Sequence, residues 1–407
     1  MSWEKVKLGD ISDSIQTGPF GSQLHQSDYS EVGIPVVMPK DLQDGRIVEN
    51  SIARVEESHV ERLSQYKIKE GDIIYSRRGD VGRCAFAYRK QNGWLCGTGC
   101  LCVTIDDKKA DAKFVFYHLQ LAEIIGWVKN HAIGSTMLNL NTSILESVPI
   151  KLPKLNIQHR IVSILSTYDD LIENNKKQIK LLEEMAQRLY KEWFVDLHFP
   201  GYEDVEIVDG VPEGWKKDRA DSFFEITIGK TPPRAEKQWF VSGNKGTKWI
   251  SISDMGKSGV FVFNTTEGLT EEATKKHNMK IIPKGTVIVS FKLTVGRVSI
   301  TTEDMCTNEA IAHFYITDNK LMEYTYLYLK MFEYDTLGNT SSISKAINSK
   351  IIKSMSFVMP PEDIISAFHA KVNEILALIY SKQCLIINVS EVRNMLLQKL
   401  MSGEVDV

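Results

Sequence analysis

One thirteen-residue frame occurs twice in this chain. "GDIIYSRRGDVGR" runs from Gly71 to Arg83, and "GTVIVSFKLTVGR" runs from Gly285 to Arg297. The copies align without a gap, because 285 − 71 = 214 and 297 − 83 = 214. Both contain Gly, four mostly apolar residues, Ser, four variable residues and Val-Gly-Arg. A fixed frame around a changed insert predicts one fold that is used twice to recognise two different targets.

The repeat extends in both directions from this frame. Trp3 matches Trp215, and the segment at 135–153 matches the segment at 341–360, where Asn141 aligns with Asn348 at an offset of 207. The offset changes from 214 to 207 because loops differ in length between the copies. The sequence therefore indicates a tandem duplication with a period far too long for a solenoid.

Each copy mixes strand-like and helical segments. Short β-type runs are punctuated by Gly, Pro, Asn and Asp, and they are "GIPVVM", "DIIYS" and "LCVTI" in the first copy and "KWISIS", "TVIVSF" and "IAHFYI" in the second. Helical patterns follow at residues 114–129 and 322–332. The mixture predicts the α+β class.

Each copy then ends in a long stretch without Gly or Pro. Mostly apolar residues recur in steps of four and three, at Ile161, Leu165, Tyr168, Ile172, Asn175, Ile179, Leu182, Ala186, Leu189 and Trp193, and at Phe368, Val372, Ile375, Ile379, Lys382, Ile386, Val389, Arg393, Leu396 and Leu400. This spacing is typical of a coiled-coil seam. Two ordinary amphipathic core helices are the alternative.

Two long helices, one per copy, favour mutual pairing as an antiparallel coiled coil with approximate two-fold symmetry. Asn175 and Lys382 are the polar positions at the centres of the two seams. In an antiparallel pair the midpoints meet, so we expect these two side chains to face each other and to fix the register.

Bulk composition limits the chemistry. The formal net charge is −3, so any surface that binds a polyanion must be local. No uninterrupted apolar run approaches 18 residues and the first ten residues lack an apolar signal core, which predicts a cytoplasmic protein without a membrane span. Six cysteines fit a reducing compartment. Among them Cys96, Cys100 and Cys102 are predicted to be buried strand thiols, with a zinc site as the minor alternative.

Catalytic signatures are mostly missing. "GKT" at Gly229 lacks the glycine that a phosphate-binding loop needs five residues earlier, where Phe224 stands. No amino-methyltransferase, serine-hydrolase or metalloprotease motif is present. We therefore predict that the chain is not itself an enzyme.

The candidate DNA-binding residues lie in the variable inserts, at the frame residues beside them, and in two loops, the Gly-rich "TGPFGSQL" and "GKTPPR" near the start of the second copy. Arginine can fork onto guanine edges, and lysine or arginine can neutralise phosphates. A plainer alternative is that the glycines and prolines only make turns and the charges only face water. The repeat favours DNA contacts by Ser22, Gln23, Ser76, Arg77, Arg78, Arg83, Lys230, Arg234, Ser290, Lys292, Thr294 and Arg297.

Taken together, these residues resemble the specificity (S) subunit family of type I restriction-modification systems. The matching pieces are "TGPFGS", "GDIIYSRRGDVGR", "LPKLNIQHRIVSIL" with its long helix, "VPEGW" and "LLQKLMSGEV". They cover nearly the whole chain. The second copy departs from the pattern, because Ile365 stands where the first copy has Gln158.

The resemblance implies two tandem target recognition domains, each reading one half of a split double-stranded DNA site. It places the first domain at 1–153, a central long helix at 154–198, the second domain at 199–360 and a C-terminal long helix at 361–407. The helices would hold the spacing and dock two methyltransferase subunits, and restriction subunits would join them. S-adenosylmethionine, ATP and Mg²⁺ are then expected in the partner subunits and none of them in this chain.

Two other functions remain open on the sequence alone. One is a stand-alone DNA methyltransferase or nuclease with degenerate motifs. The other is an adaptor whose globules bind proteins rather than DNA.

Overall fold

The computed structural model describes residues 3–134, 138–208, 210–243, 245–337 and 347–405. Its chain forms two compact units. The first comprises Met1–Ile172 with Asn388–Val407, and the second comprises Glu173–Ile387. Each unit therefore contains one end of each long helix. The aligned segments at 135–153 and 341–360 lie partly outside the described residues.

The first unit consists of short strands and helices. Its strands are β1 (Glu4–Lys7), β2 (Ser12–Thr17), β3 (Tyr29–Ser30), β4 (Ile34–Val37), β5 (Leu42–Gln43), β6 (Arg46–Ile47), β7 (Ala53–Val55), β8 (Ile73–Ser76), β9 (Cys84–Phe86), β10 (Leu95–Cys96), β11 (Cys100–Ile105) and β12 (Pro149–Leu152). Its helices are α1 (Glu57–Arg62), α2 (Ala112–Leu119), α3 (Ala122–His131), α4 (Thr142–Glu146) and the beginning of α5 (Leu155–Tyr190).

The second unit contains a similar but not identical set of strands and helices. Its strands are β13 (Ile207–Val208), β14 (Val211–Pro212), β15 (Lys216–Arg219), β16 (Ile226–Ile228), β17 (Phe240–Ser242), β18 (Thr247–Ile250), β19 (Phe261–Val262), β20 (Glu267–Leu269), β21 (Val287–Ser290), β22 (Val298–Thr301), β23 (Cys306–Thr307), β24 (Ile311–Phe314) and β25 (Ser356–Met359). Its helices are α6 (Ala220–Phe223), α7 (Ile252–Ser258), α8 (Glu271–Lys276), α9 (Met322–Met331), α10 (Ser349–Lys353) and the beginning of α11 (Glu362–Ser402).

Sheet topology confirms the duplication. The order β2-β11-β8-β9 in the first unit is repeated as β16-β24-β21-β22 in the second, where β19 adds a fifth strand. A second sheet, β3-β7-β4-β10, is repeated as β17-β20-β18-β23, and in both units its last pair is parallel. The β1–β12 pair matches the β15–β25 pair. The α+β class and the tandem repeat are both confirmed.

The aligned asparagines have one local role. Asn141 is the N-cap of α4, where its side chain accepts a hydrogen bond from the Ile144 backbone N–H at 2.8 Å. Asn348 caps α10 in the same way, accepting from Lys350 and Ile351. Each cap satisfies amide donors that have no partner within the first helical turn.

The long helices run antiparallel within each unit. In the first unit Ile161 and Leu165, near the start of α5, share a core with Leu397 and Leu400, near the end of α11. In the second unit the end of α5, which continues as a π-helical turn over Lys191–Val195, shares a core with the start of α11 at Phe368. The predicted antiparallel pairing is confirmed.

Helix α11 is apolar enough, by length and composition alone, to be a candidate membrane span. The helix contains no uninterrupted apolar run near 18 residues, as the sequence indicated, because Lys371, Glu374, Lys382 and Glu391 interrupt it. Phe368, Val372 and Ile379 of this helix are fully buried in the core of the second unit, but only 22% of its most apolar stretch is buried, so core packing accounts for part of that composition.

Two predicted elements differ from the structure. The single helix expected at residues 114–129 is split into α2 and α3, because Leu121 takes an extended conformation with φ −62° and ψ 137° and buries its side chain. The strand "KWISIS" ends at Ile250, because Ser251 caps α7 in a reciprocal capping box with Asp254.

The departure at Gln158 has a structural reason. Gln158 is 1% exposed; its Oε1 accepts from the Asp111 N–H at 2.8 Å and its Nε2 donates to the Pro153 carbonyl at 2.7 Å. Ile365, at the equivalent position, is simply buried in the apolar core of the second unit. The glutamine therefore stabilises the start of α5 only, and it has no counterpart in α11.

Candidate nucleic-acid interface

In the first unit, two loops leave the β2-β11-β8-β9 sheet at the same end. Thr17, the last residue of β2, pairs with Leu101, and Ser76, the last residue of β8, pairs with Cys100. The loop at residues 18–24 and the segment at residues 77–83 therefore emerge side by side. We call these two segments the first rim. Residues 77–83 are the four-residue insert with the Val-Gly-Arg that follows it, and in each unit the two together are called the insert below.

The backbone of the first insert is firmly held. The Arg77 N–H donates to the Gly99 carbonyl at 2.8 Å, and the Arg77 carbonyl accepts from the Leu140 N–H at 2.8 Å. Ser76 is 1% exposed and its hydroxyl donates to the Arg78 carbonyl at 3.0 Å. Ser76 therefore shapes the turn from within.

Three arginines of the first insert have different surroundings. The Arg77 guanidinium lies 5.6 Å from the ring centre of Phe20, which is itself exposed. Arg78 is exposed at the tip. Arg83 pairs with Asp80 at 3.1 Å, and Lys129 pairs with the same carboxylate at 3.2 Å. Partial burial raises the pKa of Asp80, but hydrogen bonds from Lys129 and Arg83 outweigh it, so this pKa lies below its usual value.

The loop "TGPFGSQL" is built around one close approach. A Cβ at Gly18 would lie 2.1 Å from the Gly97 carbonyl oxygen, so only glycine fits there. The Gln23 Oε1 accepts from the Phe20 N–H at 3.1 Å and from the Tyr66 hydroxyl at 3.0 Å, which shapes the loop. Ser22 is exposed.

The second unit has an equivalent pair of loops. Ile228, the last residue of β16, pairs with Ala312, and Ser290, the last residue of β21, pairs with Ile311. The loop at residues 229–234 and the insert at residues 291–297 therefore also emerge side by side. We call these two segments the second rim.

The second insert is held as the first one is. The Phe291 N–H donates to the Ala310 carbonyl at 2.9 Å, as Arg77 does to Gly99. Ser290 is fully buried; its hydroxyl donates to the Thr294 carbonyl at 2.5 Å and accepts from the Arg297 N–H at 3.1 Å. The repeated serine therefore has one role in both units, which is to hold the turn.

Different side chains occupy equivalent places on this scaffold. Phe291 is buried where the first insert has Arg77. Lys292 and Thr294 are exposed, and the Lys292 Nζ lies 5.5 Å from the Phe291 ring centre. Between them Leu293 is 95% exposed.

Arg297 is used inside the second unit. Its Nη1 donates to the Ile252 carbonyl at the start of α7 at 2.6 Å, and its guanidinium lies where a Cβ at Gly256 would come within 2.5 Å. This contact joins the end of the insert to a helix some forty residues earlier in the chain. The geometry supports a positioning role for Arg297.

The loop "GKTPPR" is fastened by its own cations. The Arg234 guanidinium lies 4.4 Å and 4.5 Å from the ring centres of Phe240 and Trp249, and it pairs with Glu267 at 2.7 Å. The Lys230 Nζ donates to the His277 carbonyl at 2.8 Å. Arg234 remains half-exposed, so its outer face is accessible.

A carboxylate lies within the second rim. Glu309 accepts from the Thr231 hydroxyl. Burial raises the pKa of Glu309, but this hydrogen bond and the charges of Lys292 and Arg234 outweigh burial. The pKa therefore lies below its usual value, and Glu309 is held ionised. The second rim is therefore of mixed charge.

The cysteine cluster belongs to the core. Cys96, Cys100 and Cys102 are buried strand thiols, as predicted, and the Cys102 Sγ donates to the Asp72 carboxylate at 3.4 Å. Desolvation raises the pKa of all three thiols. Within the described parts of the chain, no group of three or more His, Cys, Asp or Glu side chains could hold a metal ion.

Sequence reasoning did not single out Phe20 or Leu293. Both are large apolar residues at the tips of rim loops, where the rest of the pattern predicts polar residues. Aligning the two inserts at the offset of 214 places Leu293 on Gly79, and this mismatch was the available signal.

A family model described as the type I restriction modification DNA specificity domain matches residues 1–184 and 212–376. The two matches cover most of the chain. The chain belongs to this family. Each matched segment contains one complete rim and the beginning of the long helix that follows it.

Individual relatives of the specificity family extend over the whole chain. The type I restriction enzyme MjaIX specificity subunit of Methanocaldococcus jannaschii is 26% identical over 100% of this chain and 94% of its own length. The HindI specificity subunit of Haemophilus influenzae is 25% identical over 99% of both. The crystal structure of a type I restriction-modification S subunit from M. genitalium shares the fold, with a TM-score of 0.57 and 17% identity over 98% of this chain and 96% of that one.

Proposed function

We propose that this chain is the DNA sequence-specificity subunit of a type I restriction-modification complex, and that each rim reads one half of a two-part target. One observation carries the proposal. The two rims share topology, a buried serine and an anchoring hydrogen bond of 2.8–2.9 Å, yet they expose different side chains. A scaffold that both units share, with different side chains at its tips, fits two domains that recognise different DNA sequences.

The exposed tip residues have suitable chemistry for reading. Arg78 can donate two hydrogen bonds to O6 and N7 of guanine, and Lys292 can donate to the same acceptors or to a phosphate. Arg77 and Phe20 together present a cation and an aromatic ring on one surface. Ser76, Ser290, Arg297 and Gln23 are assigned to shaping the rims, because their side chains are engaged within the protein.

The long helices are proposed to dock methyltransferase subunits. Leu378 and Leu385 of α11, both in the second unit, are exposed by 45% and 40%, and they lie seven residues apart, which places them on one helix face. On α5, Leu181 and Met185 are exposed by 63% and 58%. Apolar stripes of this kind are suited to bind helices of a partner.

Docking can be separated from reading by one substitution. Leu385→Lys should abolish co-purification of the methyltransferase subunit, because a charge would then have to be buried in the apolar contact. Lys257→Ala, an exposed charge on α7 outside the stripe, is the control and should leave co-purification intact. Retained capture by Leu385→Lys would contradict docking on this face.

The cofactor assignment follows from this division of labour. We propose that S-adenosylmethionine binds the methyltransferase subunits, that ATP and Mg²⁺ bind the restriction subunits, and that this chain supplies recognition only. The purified chain should then transfer no methyl group to DNA by itself and should direct site-specific transfer once assembled. Methyl transfer by the chain alone would support a degenerate enzyme instead.

The adaptor alternative is tested by salt. Phosphate neutralisation makes DNA affinity fall steeply as salt concentration rises. The assembled complex should show this dependence on a duplex that carries its target. An affinity that is low and independent of salt would support protein-binding globules.

A further inference from the structure

Leu293 is an unusual residue for the tip of a loop. It is 95% exposed, and its φ of +61° lies in the left-handed region that L side chains other than Asn and Asp seldom adopt. Both features are unfavourable for the isolated chain. A strained and exposed apolar residue is a reason to look for a role in binding.

The first unit shows what this turn itself requires. Gly79 occupies the equivalent position at the offset of 214, with a φ of +73°. A Cβ at Gly79 would meet nothing within 4 Å, so a side chain at this turn position would point into open space. The turn therefore needs a left-handed residue, which glycine provides without strain, and it needs no leucine.

The surroundings of Leu293 indicate what its side chain would meet. It is flanked by Lys292 and Thr294, both exposed, and the hydroxyl of Ser290 holds the Thr294 carbonyl underneath. An isolated apolar side chain between a cation and a hydroxyl is complementary to a partner surface that has one apolar group among polar groups. In the major groove of DNA, the C5 methyl of thymine is such an apolar point among hydrogen-bonding groups.

We propose that Leu293 contacts the C5 methyl group of a thymine in the half-site that the second rim reads, and so determines specificity at that base pair. This inference rests on the proposed function and adds to it one residue, one base and one chemical group. A wedge between base pairs is the competing role for an exposed leucine, and it is indifferent to the thymine methyl, which lies in the major groove.

The experiment uses the complete chain assembled with its methyltransferase subunits and a duplex that carries the mapped target. Each thymine of the second half-site is replaced in turn by deoxyuridine, which removes only the C5 methyl and keeps the base pair. At one position the Kd of the wild-type complex should rise about fourfold, the effect of one buried methyl-sized group.

Two variants then remove the side chain and keep the turn. Leu293→Gly copies the first unit, and Leu293→Asn places a polar residue that tolerates the left-handed conformation. Both should bind the thymine duplex about as weakly as wild type binds the deoxyuridine duplex, with no further loss on deoxyuridine. The unfolding temperature of Leu293→Gly should not fall, which separates a lost contact from a damaged loop.

Three outcomes overturn the inference. The first is a wild-type complex that reads the second half-site normally and is unaffected by deoxyuridine at every position. The second is a deoxyuridine effect on the Kd that is unchanged in both variants. The third is a loss of affinity in the variants, relative to wild type, that is equally large on the thymine and deoxyuridine duplexes. A complex that discriminates neither half-site contradicts the proposed function itself, so the two failures are distinguishable.

Discussion

The Lys382 Nζ donates a hydrogen bond to the Asn175 Oδ1 at 3.4 Å, in the middle of the helix pair within the second unit. Lys382 also bonds to Gln178 on the same helix as Asn175. The two seam residues that the sequence aligns at an offset of 207 therefore meet, as predicted. Asn175 is only 4% exposed, so this contact places polar groups in a mostly apolar seam.

We predict that this contact fixes the register at a cost in stability. Replacing Asn175 and Lys382 together by Leu should raise the melting temperature by a few degrees, because a buried polar contact is exchanged for apolar packing. The same variant should form slipped or self-associated species, visible by light scattering after size-exclusion chromatography. The exchange Asn175→Lys with Lys382→Asn is the control and should remain a single species. A double-Leu variant of unchanged register would leave the pair without a role in alignment.

Arg297 is predicted to contribute stability rather than specificity. Arg297→Ala loses a charged hydrogen bond to the Ile252 carbonyl and should lower the free energy of unfolding of the second unit by about 1.5–3 kcal/mol. Lys292→Ala, an exposed change in the same insert, should alter it by less than about 0.5 kcal/mol. Urea unfolding measures both variants. Normal stability of Arg297→Ala with an altered methylated sequence would make Arg297 a reader after all.

The second unit should lose stability on mild acidification because of His313. This imidazole is fully buried between the Thr227 and Thr307 hydroxyls, at 2.8 Å and 2.6 Å, and desolvation lowers its pKa to about 3. The histidine of the unfolded chain has a pKa of about 6.5. Between pH 6.5 and 3 it is therefore protonated in the unfolded chain and neutral in the folded chain. Folding free energy is therefore retained above pH 6.5 and lost as the pH falls below it.

The size of the effect follows from the same linkage. Between pH 7 and pH 5, His313 should cost about 2 kcal/mol of stability. His313→Gln should remove this part of the pH dependence, as measured by urea unfolding at both pH values. Glu323, a buried acid whose pKa is raised by desolvation, acts in the opposite direction but is present in both proteins. Identical pH slopes for the two proteins would contradict the assignment.

The helix pair is predicted to set the gap between the two half-sites. Four residues inserted after Lys177 and four after Cys384 lengthen each helix by ~6 Å, equivalent to one or two base pairs of ~3.4 Å. A four-residue insertion is a stutter that a coiled coil accommodates by local unwinding. Mapping of methylated sites should show both half-site sequences kept and a spacer longer by about one pair. An insertion in one helix only should break the pairing and abolish methylation. Full activity on the original spacer would mean that the helices do not measure distance.

The architecture could be predicted from the sequence because the patterns that determine it lie within short segments of the chain. The short β-type runs bounded by turn residues and the seven-residue seam each depend on residues a few positions apart, and the duplication shows which features recur. The Asn175–Lys382 contact followed from seam position alone. These are the levels at which local pattern and tertiary packing agree.

The roles of individual rim residues could not be read in this way. Arg297 donates a hydrogen bond to a carbonyl 45 residues earlier in the chain. Arg234 packs against aromatic rings from two strands that follow it in the chain. The sequence alone does not distinguish a basic side chain that binds a phosphate from one that donates to a distant carbonyl. The split of the predicted helix at Leu121 likewise depends on what that side chain packs against.

The two rims should read two different half-sites, and mapping of methylated DNA tests this most directly. Cells would express the chain with its methyltransferase subunits as wild type, Arg78→Ala or Lys292→Ala. Each variant removes an exposed tip residue, so each should relax one half-site by roughly 1–3 kcal/mol, or about five- to 150-fold, and leave the other half unchanged. The half-site relaxed by Arg78→Ala must differ from the one relaxed by Lys292→Ala. Equal relaxation of both halves by either variant, or relaxation of the same half by both, would contradict the account.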